Sequence, residues 1–159
     1  MILEDITEFA KACPMPGALA GLDLGTKTIG LAISDLRQSV ATPAETIQRK
    51  KFSTDAAALL ALCTTRNVTG LVLGLPLNMD GSEGPRVQST RAFSRNLTSL
   101  TDLPIAFWDE RLSTVAAERA LLDADTSRKR RAQIIDHVAA GYILQGALDR
   151  LRHLRAENE

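Results

Sequence analysis

Residues 18–35 constrain the fold more than any other stretch of the chain, because they read ALAGLDLGTKTIGLAISD. Two apolar segments joined by a short polar turn predict a pair of antiparallel strands, and strands this apolar normally lie inside a sheet. Asp23 ends the first strand, where an ionised side chain costs several kcal/mol unless a positive group meets it. The pattern predicts a metal or phosphate site at the mouth of the hairpin, with Lys27 in reach of a phosphate. The alternative is ordinary turn chemistry, in which the amides of Gly25 and Thr26 satisfy Asp23.

The size and charge of the chain restrict its classes of function. Its 159 residues make about one domain with an ordinary core. A hydrophobic share of 45% beside 24% charged residues is typical of a globular protein. Because the formal net charge is zero, contact with nucleic acid must come from local clusters of positive charge.

The beginning of the chain predicts a short addition to the main domain. Apolar residues at helical spacing predict an amphipathic helix over residues 1–12, which Pro14 and Pro16 then end. We expect this helix to cover an exposed flank of the fold. The predicted division is a helical extension over residues 1–16 and one main domain over residues 17–155.

The cysteines and the absence of a long apolar run indicate the cellular compartment of the protein. Cys13 and Cys63 lie in different segments without metal-ligand spacing, so we expect buried thiols in a reduced compartment. Acidic residues rather than a basic region lie near the start of the chain, and no apolar run approaches membrane-spanning length. We therefore expect a cytoplasmic protein without a membrane partner.

The rest of the chain predicts a sheet that changes from antiparallel to parallel. Pro43 cannot donate to a sheet ladder, so the third strand, over residues 40–47, is predicted at an edge. Ser53 and Asp55 are candidate N-caps for the next helix. The remaining predicted elements are that helix to about residue 66, a buried parallel strand over 70–76, a helix over 86–100, a strand over 104–108, a helix from Ser113 or Thr114 to about 122, and a last helix over 129–154.

A polar, glycine-rich loop over residues 77–85 joins the fourth strand to a helix. Such loops make anion sites, because free amides and the helix dipole both favour negative charge. We include Asn78 of this loop among the candidate substrate-binding residues. The alternative is a plain strand-to-helix connection whose glycines satisfy turn geometry.

Two adjacent acids, Asp109 and Glu110, end the fifth strand, where ligand sites of parallel sheets usually lie. They would repel one another unless a cation or the neighbouring Arg111 intervenes. Neighbouring strand residues point to opposite faces, so we choose Glu110 as the acid that faces the site, with Asp109 as the alternate. An acidic turn simply paired with Arg111 is the other interpretation, and Arg111 is also a candidate substrate-binding residue.

The last helix carries Asp136 on a face that is otherwise apolar. By helical spacing this face includes Ala139, Ala140, Ile143 and Ala147 and is expected to press on the sheet, so Asp136 could come within metal-bridging distance of Asp23. The alternative is an acid near the first helical turn that favours the helix dipole.

A basic tetrad lies where a polar connection over residues 123–131 meets the start of this helix. Its members are Arg128, Lys129, Arg130 and Arg131. Such a tetrad is usually a solvated surface, but beside a carboxylate site it predicts binding to phosphate backbones.

Three acids from distant parts of the chain, Asp23, Glu110 and Asp136, are the predicted catalytic residues. Together with Asp109 they are also the candidate metal ligands. Carboxylate oxygens without His or Cys ligands suit Mg²⁺ or Mn²⁺. Two such ions roughly 4 Å apart support in-line attack on a phosphodiester, which is nuclease chemistry.

Four motifs of the chain resemble the YqgF/RuvX family of Holliday-junction-resolvase-like nucleases. The resemblance covers nearly all of residues 19–151. It implies an α/β, RNase H-like fold with a five-stranded mixed sheet flanked by helices, metal-dependent cleavage, and catalytic roles for Asp23, Glu110 and Asp136. The predicted N-terminal helix is an addition to the usual start of this family. The motifs are DLGTKTIGLAISD at 23–35, GLPLNMDGS at 74–82, DERLST at 109–114 and DHVAAGYIL at 136–144.

The resemblance implies two substrates, the precursor of 16S ribosomal RNA in ribosome biogenesis and branched DNA such as a Holliday junction. A second hypothesis is a non-catalytic RNA-binding or ribosome-assembly factor that kept the fold. A third hypothesis follows from residues 23–26, which also resemble the first phosphate motif of actin-like and sugar-kinase ATPases. Those enzymes need a second domain and a second phosphate loop, for which this chain has neither the length nor the segment. Monomer and homodimer both stay open.

Overall fold

The computed structural model describes residues 1–112 and 128–157, with only the backbone of residues 128–136. A five-stranded sheet forms its centre, in the order β3-β2-β1-β4-β5. The first three strands pair antiparallel, and β4 and β5 continue the sheet in parallel with β1, which confirms the predicted change of direction. The strands are β1 (Ala18–Leu24), β2 (Thr28–Ser34), β3 (Ala41–Gln48), β4 (Val68–Leu75) and β5 (Ile105–Asp109).

Helices cover both faces of this sheet. The described helices are α1 (Ile6–Ala12), α2 (Phe52–Thr65), α3 (Pro85–Leu97) and α4 (Arg128–Glu157), with a short 3-10 turn over Glu110–Leu112. Alternate residues of each strand point to opposite faces, which is why β1 and β4 are apolar on both sides. One face packs on α2 and α3 through residues such as Leu22 and Leu71, and the other packs on α1 and α4 through residues such as Leu19 and Val72.

Glycines let α4 lie very close to the sheet. A Cβ at Gly21 of β1 would come within 2.6 Å of Leu144 Cβ, and one at Gly74 of β4 within 2.5 Å of Ile143 Cδ1. On the helix side, a Cβ at Gly146 would lie 2.7 Å from the indole of Trp108. Because side chains at these positions would hold the helix away, this close approach depends on the absence of a Cβ.

The predicted helix over residues 1–12 is wrong for the first five residues. Ile2 forms a parallel bridge with Ile105, and the helix begins only at Ile6, where the Asp5 carboxylate accepts a hydrogen bond from the Thr7 N–H at 2.8 Å. Asp5 is therefore the N-cap. Phe9 of this helix is fully buried against the sheet and α4, which confirms that α1 covers a flank of the fold.

Three other predicted boundaries need correction. The N-cap of α2 is Lys51, which makes no side-chain cap, so the prediction of Ser53 or Asp55 is wrong. Asp55 lies inside the first turn and accepts from the Lys50 N–H at 3.0 Å. Helix α3 ends at Leu97 rather than near residue 100. Helix α4 begins at Arg128, one residue before the predicted start, so the whole tetrad 128–131 lies within the helix.

Two predictions fall on residues 113–127, namely the helix to about 122 and most of the polar connection after it. Both lie outside the described residues. Among the helices of residues 1–112 and 128–157, none combines the length and the apolar character needed to cross a bilayer.

Candidate active site

Asp23 lies at the carboxyl end of β1, in a row of residues that runs across the sheet. It is only 3% exposed and faces α4, as Leu19 and Gly21 do on the same strand. Asp23 pairs with Gly30 of β2. On the other side, the parallel register that pairs Leu22 with Leu73 brings Gly74 of β4 beside Asp23. Glycines thus flank the acid on both sides, leaving space between neighbouring strands that are about 4.8 Å apart.

Glu110 points toward the same space, and Asp109 does not share its environment. The Glu110 carboxyl carbon would lie 3.4 Å from a Cβ at Gly74, on the α4 face of the sheet. Asp109 is instead held by Arg111, whose guanidinium donates to its two carboxylate oxygens at 2.7–3.1 Å. This hydrogen-bonded ion pair holds the pKa of the Asp109 carboxyl below its usual value. The contacts therefore favour Glu110 as the acid that faces the site.

The first half of α4 is held over the same row. Thr46 of β3 pairs with Gly30, and its hydroxyl is hydrogen-bonded to Nδ1 of His137 at 3.0 Å. Sequence reasoning leaves His137 without a role, and the contact to an edge strand could not be read from helical spacing. Asp136 is the preceding residue of the helix, and its side chain lies outside the described residues.

The predicted packing of this helix is confirmed. The four residues expected on the face of Asp136 are all buried on the sheet, each 1% exposed or less: Ala139, Ala140, Ile143 and Ala147.

The glycine-rich loop before α3 is closed by its own side chains. Asn78 donates from Nδ2 to the Ser82 hydroxyl at 2.9 Å, and that hydroxyl donates to the Asp80 carboxylate. The hydrogen bonds from Ser82 lower the pKa of Asp80. Arg111 also donates to the Met79 carbonyl at 3.3 Å, which ties the loop to the end of β5. Asn78 and Arg111 therefore shape the rim of the site.

Positive side chains surround the β1–β2 turn, and two of them were missed by sequence reasoning. Lys27 is exposed in this turn, as predicted. Arg49 donates to the Gly25 carbonyl at 2.6 Å, and Arg86 donates to the Leu24 carbonyl at 3.3 Å. The only local signal for Arg86 is its place behind Pro85, where a glycine-rich loop feeds a helix. The side chains of the 128–131 tetrad lie outside the described residues.

The donors at this site fit a hard divalent cation. Asp23 and Glu110 supply carboxylate oxygens on one face of the sheet, the ligand type that Mg²⁺ and Mn²⁺ prefer. Within the described part of the chain, no three His, Cys, Asp or Glu side chains cluster closely enough to hold a metal by themselves. The side chain of Asp136, the third predicted ligand, is not among those that the structure describes.

The chain is similar to proteins of known family and structure. The family described as "RuvX: Holliday junction resolvase" matches residues 17–150. A protein of Ruegeria pomeroyi is 70% identical over 97% of this chain and 100% of its own, and one of Rhodobacter capsulatus is 68% identical over 97% of both chains. Both relatives are named "Putative pre-16S rRNA nuclease".

Among solved structures, the chain resembles RuvC of Thermus thermophilus in complex with a Holliday junction substrate. The TM-score is 0.56 at 9% identity, over 87% of this chain and 97% of that one. A second T. thermophilus RuvC structure gives a TM-score of 0.51 at 12% identity, over 86% and 97% of the two chains. At such low identity the likeness shows the fold alone, and it confirms the predicted RNase H-like architecture.

Proposed function

Because the chain belongs to the RuvX family, we propose that it is a metal-dependent endonuclease that hydrolyses phosphodiester bonds in the precursor of 16S ribosomal RNA. The observation that carries the proposal is the buried Asp23 between Gly30 and Gly74, with Glu110 on the same face of the sheet. The names of the 70% and 68% identical relatives favour ribosomal RNA as the substrate. The cytoplasm is the proposed location.

Asp23, Glu110 and Asp136 are the proposed metal ligands. The contact between His137 and Thr46 supports the inclusion of Asp136, because it anchors the adjacent helical residue beside the row that contains Asp23. When bound, Mg²⁺ or Mn²⁺ supplies Lewis-acid polarisation of the scissile phosphodiester. The ion pair with Arg111 excludes Asp109 from our proposed ligand set.

The chain's own residues have separate tasks in this proposal. Asp23 and Glu110 bring negative charge to one face of the sheet, and Asp136 is proposed to complete a defined position for a cation. Helix α4 covers the site from one side and limits the access of bulk water. Lys27 and the 128–131 tetrad are proposed to bind backbone phosphates of the substrate, since phosphate contacts position a nucleic acid without reading its sequence.

The test compares two buried aspartates. Cleavage of a precursor 16S rRNA fragment and of a four-way DNA junction is measured with Mg²⁺, with Mn²⁺ and with EDTA. Asp23→Asn is expected to lose cleavage of the RNA, because an amide is a weaker metal ligand than a carboxylate. Asp55→Asn is the matched control, since Asp55 is 2% exposed but lies in the first turn of α2 and accepts a hydrogen bond from the Lys50 N–H.

Each result has a clear meaning. Loss of cleavage in Asp23→Asn with retention in Asp55→Asn supports the proposal. Equal cleavage by the parent and Asp23→Asn contradicts it, as does RNA binding by the parent without cleavage under either ion. Preferential cleavage of the junction would replace ribosomal RNA with branched DNA as the substrate.

A further inference from the structure

A group of positive residues lies in or next to the β1–β2 turn, and its two arginines, Arg49 and Arg86, lie on the face of the sheet that α2 and α3 cover. We call this group the basic ridge. Within the described side chains, those of residues 1–112 and 137–157, none of its members forms a salt bridge with a carboxylate. The basic ridge consists of Lys27, Arg49, Lys50, Lys51 and Arg86.

Arg49 is held in place by two contacts. One guanidinium nitrogen donates to the Gly25 carbonyl at 2.6 Å, and the guanidinium carbon lies 5.8 Å from the centre of the Phe93 ring. The ring is itself fixed by an edge-on contact with Phe52 at 5.4 Å. A guanidinium has five N–H donors, so these contacts leave most of them for a ligand while removing the entropy cost of ordering the side chain.

Arg86 extends the ridge at the same end of the sheet, next to the carboxyl end of β1. It lies in the first turn of α3 and donates to the Leu24 carbonyl at 3.3 Å. The two arginines therefore bind consecutive carbonyls, which directly follow Asp23 in the chain. Lys27 lies in the same turn, and its carbonyl accepts from the Arg49 N–H at 2.8 Å.

The position and the charge of the basic ridge favour the phosphate backbone of a nucleic acid as its ligand. Asp23 faces α4, whereas Phe93 and therefore Arg49 lie on the α2 and α3 face. Both groups lie at the carboxyl end of β1. A nucleic acid strand that crosses this end of the sheet therefore passes from the acids to the basic ridge. A row of guanidinium and ammonium groups fits a chain of phosphates, because Arg binds phosphate with two parallel hydrogen bonds.

We propose that the basic ridge binds the phosphate backbone of the substrate strand next to the bond that is cleaved. This inference rests on the proposed nuclease function and names a contact surface of that site. The ridge supplies affinity without reading sequence and takes no part in the chemical step. The chain as a whole carries no net charge, so this local cluster supplies attraction that the overall surface cannot.

The test measures how RNA binding depends on salt. A fluorescein-labelled RNA hairpin with a single-stranded flank, and the DNA hairpin of the same sequence, are titrated by anisotropy from about 50 to 200 mM KCl. For Arg86→Gln we expect the slope of log Kd against log salt to fall by about one, and Kd to weaken by roughly threefold. Arg95→Gln is the matched control, because Arg95 is an exposed arginine in the last turn of the same helix.

A second pair of variants keeps the test independent of folding. Arg49→Gln is expected to reduce the slope as Arg86→Gln does, whereas Arg49→Lys keeps the charge and the parental slope. Thermal unfolding checks that each variant is folded. Parental slopes in both Gln variants, or an equal loss in Arg95→Gln, would overturn the proposal. A reduced slope with the RNA and the DNA alike supports a backbone contact, and a slope unchanged with both refutes it.

Kinetics distinguish this proposal from the proposed function. If the parent cleaves RNA, ridge variants are expected to raise KM and leave kcat unchanged, and unchanged values of both would refute the ridge alone. If the parent binds RNA with a ridge-dependent slope yet never cleaves it, the nuclease proposal fails and the ridge stands.

Discussion

Replacing Gly21 with alanine tests whether the close approach of α4 to β1 organises the site. The new Cβ would lie 2.6 Å from Leu144 Cβ and 3.0 Å from the Ala140 carbonyl oxygen, whereas ordinary contacts are 3.4–4 Å. These atoms belong to or adjoin the helix backbone, so no side-chain rotation can relieve the clash. The helix must move away from the sheet.

The size of the effect follows from overpacking. Inserting a methyl group into a tight core costs about 1–3 kcal/mol, partly offset by about 0.4–1 kcal/mol because alanine restricts the unfolded chain more than glycine. For a chain of this length, 1 kcal/mol corresponds to roughly 2–4 °C in Tm. We therefore expect Gly21→Ala to lower Tm by a few degrees. Because α4 also carries Asp136, cleavage by the folded protein is expected to fall by up to about 100-fold.

The control is Gly141→Ala on the same helix. Among the described residues outside its own helix, a Cβ there would contact the Pro43 ring, at 3.3 and 3.7 Å. Alanine improves helix propensity by about 1 kcal/mol, so the stability of this variant is expected to match or exceed that of the parent.

Thermal unfolding, monitored by circular dichroism and by the fluorescence of Trp108, gives the measurement. This residue is the only tryptophan of the chain, and its indole lies against Gly146 of α4. Parental stability and parental cleavage in Gly21→Ala would refute the reasoning. An equal loss in Gly141→Ala would show that the helix tolerates no added methyl group anywhere, which would remove the special role of Gly21.

Three further predictions concern stability and reactivity. Thr46→Val removes the hydrogen bond to α4 and is expected to lower the free energy of unfolding by about 1 kcal/mol, measured in urea; an unchanged value would mean that this bond does not anchor the helix. The backbone N–H of Val40 and the side chain of Ser39 lower the pKa of Asp35 from 3.8 to about 2. Since the folded-state pKa is depressed, this stabilisation is complete above pH 3.8 and is lost as pH falls toward 2. Asp35→Asn is expected to be less stable than the parent near neutral pH and to become equal to it only as pH falls below about 2; a constant difference would contradict the assignment. Burial raises the pKa of both cysteine thiols to about 11, so alkylation by iodoacetamide at neutral pH is expected only after unfolding, as checked by mass spectrometry.

Local sequence patterns were sufficient for much of the fold. Apolar runs and their lengths predicted the five strands, and Pro43 predicted that β3 is an edge strand. The error at the start of the chain had a local cause as well. Asp5 with Glu8 three residues later is an N-cap signal, and helical spacing of the apolar residues before it masked that signal.

The sequence by itself determined which acids were candidates and which faces of the strands are buried, because the apolar content and the alternation of a strand can be read from neighbouring residues. Only the tertiary structure decided that Gly30 and Gly74 flank Asp23, and that Arg49 and Arg86 bind the carbonyls of the two residues that follow it. These neighbours are set by strand register and helix packing. Register joins residues far apart in the chain, and no local pattern specifies which of them will meet.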